Sequence, residues 1–203
     1  VYGGNKANVA PGDIKYKDIS GPDGVPDGKI DSHDRTIIGN PTPRYEFGLT
    51  LGLQWKGIDF SAFFQGVGKK DVYYSGAGAR ALCGNYTIYK YQFDYWTPEN
   101  PDAKFPRLLE DPNATNPNNM ISSFWVKSGA YCRLKNIVLG YTLPSSITKT
   151  AHISKLRVYA SAQNLFTIKD NFYEGFDPEN SVSSGASLYP LNKTFVFGLN
   201  VEF

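Results

Sequence analysis

The sequence predicts an all-β fold of antiparallel strands, and three observations support this class. Several runs of about ten residues alternate apolar and polar side chains, the period-two pattern of a strand with two unlike faces. Tyr (14) and Phe (13) are abundant and favour strands, whereas Gly (20) and Pro (13) separate the runs. No segment approaches the roughly 20 consecutive apolar residues of a membrane helix. The net charge of +2 gives no broad attraction to nucleic acid.

The first two strands are predicted as a hairpin at 45–55 and 58–67. From Tyr45 to Trp55, every second residue is apolar and the residues between them are small or polar. The Lys56-Gly57 pair separates this run from a second alternating run. Two such runs joined by a short turn containing Gly indicate a β-hairpin. Each run has about the length that a tilted strand needs to cross a bilayer.

Three more strands are predicted at 131–143, 155–166 and 194–203. The first of them is less regular, because Arg133 and Lys135 interrupt its first half, and Pro144 ends it. The last run alternates cleanly and closes on Phe203. An alternating final strand that ends on Phe is typical of the C-terminus of an outer-membrane β-barrel. The sequence therefore favours the C-terminal strands of a transmembrane barrel.

The connections between these runs are alternately short and long, as in outer-membrane barrels with brief periplasmic turns and long outer loops. If the chain ends on the periplasmic side, residues 1–44, 68–129 and 168–192 are extracellular, and 56–57 and 144–154 are periplasmic. Residues 45–203 then hold the last five transmembrane strands. Five strands cannot close a membrane barrel, for which about eight is the usual minimum. Because the chain begins at Val1 without a signal peptide, we expect it to be the end of a longer polypeptide.

A soluble antiparallel β-sandwich also alternates, so it is the main structural alternative. Aromatic side chains at strand ends weigh against it. Tyr45 and Trp55 bracket the first strand and Phe203 ends the last one, as expected for the aromatic girdle at a membrane interface.

Several short segments, in order along the chain, resemble the SusC/RagA family of TonB-linked outer-membrane receptors. One of them reads Tyr95-Trp96-Thr97-Pro98-Glu99-Asn100-Pro101. The others are 12–18, 34–41, 63–68, 133–137, 156–159 and 163–166, together with the Phe203 ending. The resemblance covers the chain from about Gly12 onward.

This resemblance implies an energy-coupled nutrient importer with a barrel of about 22 strands and an N-terminal plug. Such receptors lie in the outer membrane and work with a SusD-like surface lipoprotein that covers the barrel. Their substrates are oligosaccharides or peptides. The TonB complex would act through upstream sequence that is absent here, and the remainder of the barrel would also lie outside this chain. No catalytic set of residues is recognisable, so an enzyme is not expected.

An acidic segment between residues 18 and 34 is the one candidate metal site. Ca²⁺ takes six to eight oxygen ligands, and a Gly permits the sharp turn of a calcium loop. With Asp23 at position 1 of an EF-hand loop, Val25 falls at position 3, where a side-chain ligand is needed, so the pattern departs from that motif. An ordinary acidic turn is the alternative. The predicted ligands are Asp18, Asp23, Asp27, the carbonyl of Lys29, Asp31 and Asp34.

Aromatic residues crowd the long 68–129 loop. Tyr91, Tyr95 and Trp96 are candidates for contact with substrate or with the covering lipoprotein, although packing inside the loop explains them equally well. His33 and His152 lack a nucleophile or metal partner in the sequence and are expected to be surface residues. Cys83 and Cys132 permit one disulfide.

Two functions follow from these observations. The first is the C-terminal barrel portion of a TonB-dependent importer. The second is a calcium-stabilised extracellular β-sandwich that binds glycans or mediates adhesion. Dependence on detergent separates the two, because a sandwich is soluble without it.

Overall fold

The structure is a computed structural model that describes residues 9–76, 79–82, 87–110, 117–172, 177–179 and 191–203. Its strands are β1 Tyr45–Trp55, β2 Ile58–Gly68, β3 Asp71–Tyr73, β4 Val126–Ser128, β5 Tyr131–Thr142, β6 Lys155–Lys169 and β7 Thr194–Glu202. One five-stranded antiparallel sheet has the order β1-β2-β5-β6-β7, and β3 pairs with β4 in a separate two-stranded sheet.

The helical elements of the described residues are short. They are one α-helical turn, α1 Ser145–Thr148, and 3₁₀ turns at Ser32–Asp34, Lys90–Phe93, Pro117–Asn119, Ser123–Trp125 and Lys149–Ala151. None of the helices in the described part of the chain is both long and apolar enough to span a membrane.

The five strands of the large sheet lie where the alternating runs predict them. β1 matches its predicted run at both ends, and β6 continues three residues past the predicted end at Phe166, to Lys169. The sequence does not predict the β3–β4 pair, because three-residue strands are too short to show a period of two.

The register gives the sheet one apolar face and one polar face across all five strands. One lateral row on the apolar face contains Leu51, Ala62, Ile137, Ala162 and Phe195. The alternation seen in each separate strand is therefore aligned between strands. A single slip of one residue would have broken the apolar face.

Many large side chains of the apolar face are exposed in the described structure. Phe197 is 83% exposed and Trp55 is 62% exposed, and the apolar residues of β1 and β7 are exposed along both strands. Monomeric soluble proteins rarely expose a contiguous apolar surface of this kind. The face suits the hydrocarbon region of a bilayer better than it suits water.

The two ends of the sheet differ in their connections. At one end, the Lys56-Gly57 turn joins β1 to β2, and both residues have positive φ (46° and 86°), as a type I′ turn requires. The segment between β5 and β6, which holds α1, lies at the same end. The long segments before β1, between β2 and β5, and after β6 lie at the other end, which we call the long-loop end.

A bulge distorts the sheet near the long-loop end. The register between β5 and β6 shifts between Leu134 and Asn136, so Lys135 has no partner in β6. The pairing of β2 with β5 shifts at the same level, between Phe63 and Phe64. Asn164 in β6 has a φ of 52° and lies in the left-handed region. Bulges re-aim side chains at barrel rims, and this one lies beside the most buried charged residue of the sheet, Arg133.

Each outer strand of the sheet has one unpaired edge. Neither β1 nor β7 pairs with a further strand among the described residues. In a bilayer, backbone groups along an open edge lack hydrogen-bond partners, at a cost of several kcal/mol for each group. The sheet is therefore a portion of a larger antiparallel barrel rather than a complete membrane structure.

Candidate functional site

The long segments fold together at the long-loop end around a small hydrophobic core, which we call the loop cluster. Its buried members come from β3, from the loop between β3 and β4, and from the 3₁₀ turn that precedes β4. They are Val72, Tyr74, Ala79, Phe105 and Trp125. Partly buried residues that pack against it are Ile14, Tyr73, Tyr91, Tyr95, Phe124 and Phe172. The described parts of the long connections thus form a packed layer at this end of the sheet, which explains how they can hold side chains in fixed positions.

Asp13 joins the segment before β1 to this layer. Its side chain is 2% exposed, and it accepts hydrogen bonds from Arg107 Nε at 2.7 Å and from Asn118 Nδ2 at 2.8 Å. Burial opposes ionisation of the carboxyl, but the bonds from Arg107, the Ala10 amide and Asn118 outweigh it and lower the pKa of Asp13. The carboxylate is therefore kept charged and fixed.

A second group of charges lies on the polar face of the sheet at the long-loop end. Arg133 of β5 is 2% exposed and donates to Asp177 Oδ2 at 2.6 Å and to Thr167 Oγ1 at 2.7 Å. Its Nη1 lies 2.9 Å from Glu179 Oε1, and Lys135 Nζ lies 2.7 Å from the same oxygen. We call these five residues the Arg133 cluster. It holds the segment 177–179 against the inner, polar face of the sheet.

No role for the residues of the Arg133 cluster is predicted from the sequence. A signal was present, because Arg133 and Lys135 interrupt the alternation of the third predicted strand. Basic residues at strand positions that the structure buries need carboxylate partners. The sequence alone does not identify those partners, since they lie 44 residues further along the chain.

An ion pair spans the polar face near the opposite end of the sheet, which carries the Lys56-Gly57 turn and which we call the short-turn end. Arg157 of β6 donates to Asp59 of β2 through Nε at 2.8 Å and Nη2 at 2.5 Å. Strand β5 lies between these two strands, and Gly140 sits beneath the pair, where any Cβ would collide with both side chains. Bidentate pairs of this kind fix geometry. The inner surface of the sheet is therefore charged at both of its ends.

The predicted calcium segment folds around two of its carboxylates. Asp18 Oδ2 accepts from the Gly28 amide at 2.6 Å, and Asp34 Oδ1 accepts from the Ile19 amide at 2.7 Å. Backbone hydrogen bonds, led by the Asp31 amide, lower the pKa of Asp34. These bonds close the segment into a loop that brings its two ends together.

The donor set for Ca²⁺ is incomplete in this conformation. Asp18 Oδ1 is buried and has no hydrogen-bond partner in the described part of the chain, which leaves one oxygen available for a ligand. However, within the described residues no group of three or more acidic, His or Cys side chains is close enough to hold a metal. Asp23, Asp27, Lys29 and Asp31 are exposed. Calcium binding therefore stays a prediction.

The three aromatic candidates pack within the loops. Tyr91 lies 5.8 Å from Tyr89 in a stacked pair, and burial raises its pKa. Tyr95 packs against the loop cluster, and Trp96 covers Gly12, whose φ of +89° and lack of a Cβ permit the contact. Packing accounts for these positions, and contact with substrate or a lipoprotein stays a prediction.

The girdle candidates Tyr45, Trp55 and Phe203 are all exposed at strand ends, and their membrane role stays a prediction. Cys132 forms no disulfide with any described residue, and Cys83 lies outside the described residues, so the structure does not test the possible disulfide between them. His33 Nδ1 lies 2.9 Å from Asp31 Oδ1 on the exposed acidic segment. His152 is exposed in a left-handed turn position with a φ of 55°.

The known proteins that are similar to this chain include TonB-dependent receptors. The chain is 33% identical over 210 residues to TonB-dependent receptor P3 of Formosa agariphila, covering 95% of this chain and 19% of that protein. It is 30% identical over 178 residues to TonB-dependent receptor SusC of Bacteroides thetaiotaomicron, covering 87% of this chain and 17% of that protein. The chain thus spans about a fifth of the length of these relatives. No family model matches it.

Solved structures give the same result. The fold is similar to a chain of the RagAB peptide importer in its open-open state, with a TM-score of 0.65 and 28% identity over 90% of this chain and 20% of that one. The closed-closed state of the same importer gives a TM-score of 0.65 with 27% identity.

Proposed function

Because the chain belongs with the SusC/RagA family of TonB-dependent receptors, whose members it matches along 87–95% of its length, we propose that it forms part of the wall of an outer-membrane nutrient importer. The observation that carries this proposal is the continuous apolar face of five strands in register. The family consists of receptors, not enzymes. The chain's contribution is a membrane-facing outer surface and a charged inner surface.

The long-loop end is proposed to face the outside of the cell. The packed loop cluster and the Arg133 cluster lie at this end and give it a fixed shape. A SusD-like lipoprotein would cover this surface, and an oligosaccharide or a peptide would pass beneath it. One of the similar solved structures is named a peptide importer, so peptides are the substrate named for that protein. Coupling to TonB would use sequence upstream of this chain.

The alternative of an extracellular sandwich requires a second layer over the apolar face. The exposed side chains of β1 and β7 disfavour it, since a soluble sandwich buries the inner face of each sheet. The two functions make opposite predictions about charge on this face.

A matched pair of substitutions in β1 of the full receptor tests the proposal. Leu51→Arg places a charge on the apolar face, and Thr50→Arg places the same charge on the polar face one residue away. An arginine at the lipid-facing midplane costs about 2–4 kcal/mol, whereas a lumen-facing one is tolerated. We expect Leu51→Arg to reduce the fraction that shows heat-modifiable migration on a denaturing gel, and Thr50→Arg to leave it unchanged.

Equal behaviour of the two variants would contradict a membrane-facing apolar surface. So would a receptor that stays soluble and monomeric without detergent. Uptake of labelled oligosaccharides and peptides by cells that carry the folded receptor then decides between the two substrate classes.

We also propose that the acidic segment binds Ca²⁺ as a structural ion, with Asp18 and Asp34 as its central ligands. The buried, unpartnered Asp18 Oδ1 supports this assignment. Calorimetric titration of the full receptor should show a dissociation constant in the millimolar range or below, as for extracellular calcium modules. Asp34→Asn should weaken binding at least tenfold, and Asp102→Asn, an exposed carboxylate elsewhere, should not. Binding that is absent, or indifferent to Asp34→Asn, rules the site out.

A further inference from the structure

A groove of about 440 Å³ lies on the apolar face of the sheet, near the short-turn end. Its walls come from β2, β5, β6 and β7, and its lining is almost wholly apolar. The side chains that line it on this face are Ile58, Leu139, Tyr141, Val158, Ala160 and Phe197.

Small residues create the groove. Ala160 is flanked in register by Leu139 on one side and Phe197 on the other. In the next row, Ala62 and Ala162 are only 3% and 8% exposed although they belong to the outer face. Larger neighbours therefore rise on both sides of Ala160, the one alanine that lines the groove. A depression with this shape accepts a linear hydrocarbon chain.

A cation lies where the groove reaches the short-turn end. The Tyr141 ring packs beside Gly57, where a Cβ would lie 3.4 Å from its Cε2, and Gly57 follows Lys56 in the β1–β2 turn. Lys56 Nζ lies 5.0 Å from the centre of the Trp55 ring. None of the described carboxylates forms an ion pair with Lys56, whereas Lys155 at the same end pairs with Glu202 at 3.2 Å. Lys56 is thus free to bind an anion.

We propose that this groove and Lys56 form a binding site for one anionic phospholipid, an inference that rests on the proposed membrane function. An acyl chain lies over Ala160, between Leu139 and Phe197, and the phosphate pairs with Lys56. Two features indicate a phospholipid. The apolar groove can hold a hydrocarbon chain, and the adjacent cation, Lys56, can pair with an anionic head group. Tyr141 and Trp55 lie between them, at the depth where amphipathic rings are favoured.

Native mass spectrometry of the full receptor in detergent, with phosphatidylglycerol as the probe, tests this site. We expect the folded receptor to retain one phosphatidylglycerol. Ala160→Leu fills the groove and should reduce retention at least fivefold. Lys56→Gln should remove the preference for phosphatidylglycerol over phosphatidylcholine. Leu49→Phe adds similar bulk on the same face, outside the groove lining, and should change neither result.

Heat-modifiable migration of each variant separates the two levels of the proposal. If the unaltered receptor is not a heat-modifiable barrel, the proposed function itself is wrong. If it is folded but Ala160→Leu retains phosphatidylglycerol as before, only the lipid site is wrong. A receptor dimer that Ala160→Leu dissociates would also overturn the site, because a second copy would then cover the groove. Lys56 lies in an exposed turn, so its variant tests the head-group contact even if Ala160→Leu does not fold.

Discussion

Replacing Arg133 with methionine is expected to release the segment 177–179 from the inner face of the sheet. Asp177 and Glu179 would then keep their charges in a partly buried position without the guanidinium that they share. Removing one partner of a buried ion pair costs about 3–5 kcal/mol, because the other charge is left uncompensated. We expect a lower free energy of unfolding for the receptor in detergent. Limited proteolysis should also cut faster near residues 177–179.

Two comparisons identify the cause of this effect. Lys135→Met removes a cation that is more exposed and contacts only Glu179 of the pair, so we expect a loss of at most about 1 kcal/mol. Combining Arg133→Met with Asp177→Asn and Glu179→Gln should recover part of the loss, because the uncompensated charges are removed. If Arg133→Met is as resistant to protease as the parent, the Arg133 cluster does not hold the segment.

The strands of the large sheet were predictable because each one meets two different environments. A strand whose two faces meet an apolar and a polar environment alternates its side chains, and β1 does so over all of its 11 residues. The turn between β1 and β2 was equally predictable from the sequence, since the Lys56-Gly57 pair fits a tight hairpin turn. Local pattern and final environment agree at these positions.

The long-loop end was not predictable in the same way. Its contacts join residues that are distant in the sequence, such as Asp13 with Arg107 and Arg133 with Asp177. A single sequence shows that such charged residues exist but not which of them pair. The aromatic residues of the long loop present the same difficulty. A tyrosine such as Tyr91 looks the same in the sequence whether it packs against other rings, as it does against Phe105, or contacts a ligand. Tertiary packing decides between these roles.

Gly66 of β2 is the position where the smallest change is expected to have a large effect. A Cβ at Gly66 would collide with the backbone oxygen of Tyr131 and lie 2.5 Å from Phe47 Cζ. The Phe47 ring can move, but the Tyr131 carbonyl belongs to the neighbouring strand β5 and cannot move without shifting the pairing. Forcing extra atoms into a packed site costs about 1–3 kcal/mol, occasionally more. We expect Gly66→Ala to lower the denaturant midpoint and the heat-modifiable fraction of the receptor.

Gly52→Ala in β1 is the matched control, because a Cβ there meets no atom of the described residues within 4 Å. Both changes restrict the unfolded chain equally, which by itself stabilises the fold. The difference between the two variants therefore reports the collision alone. Adding Phe47→Ala to Gly66→Ala should recover only the part due to the ring, since the contact with the Tyr131 carbonyl persists. If Gly52→Ala destabilises the receptor as much as Gly66→Ala does, the effect is a general cost of replacing strand glycines, and the close approach of β2 to β5 is not its cause.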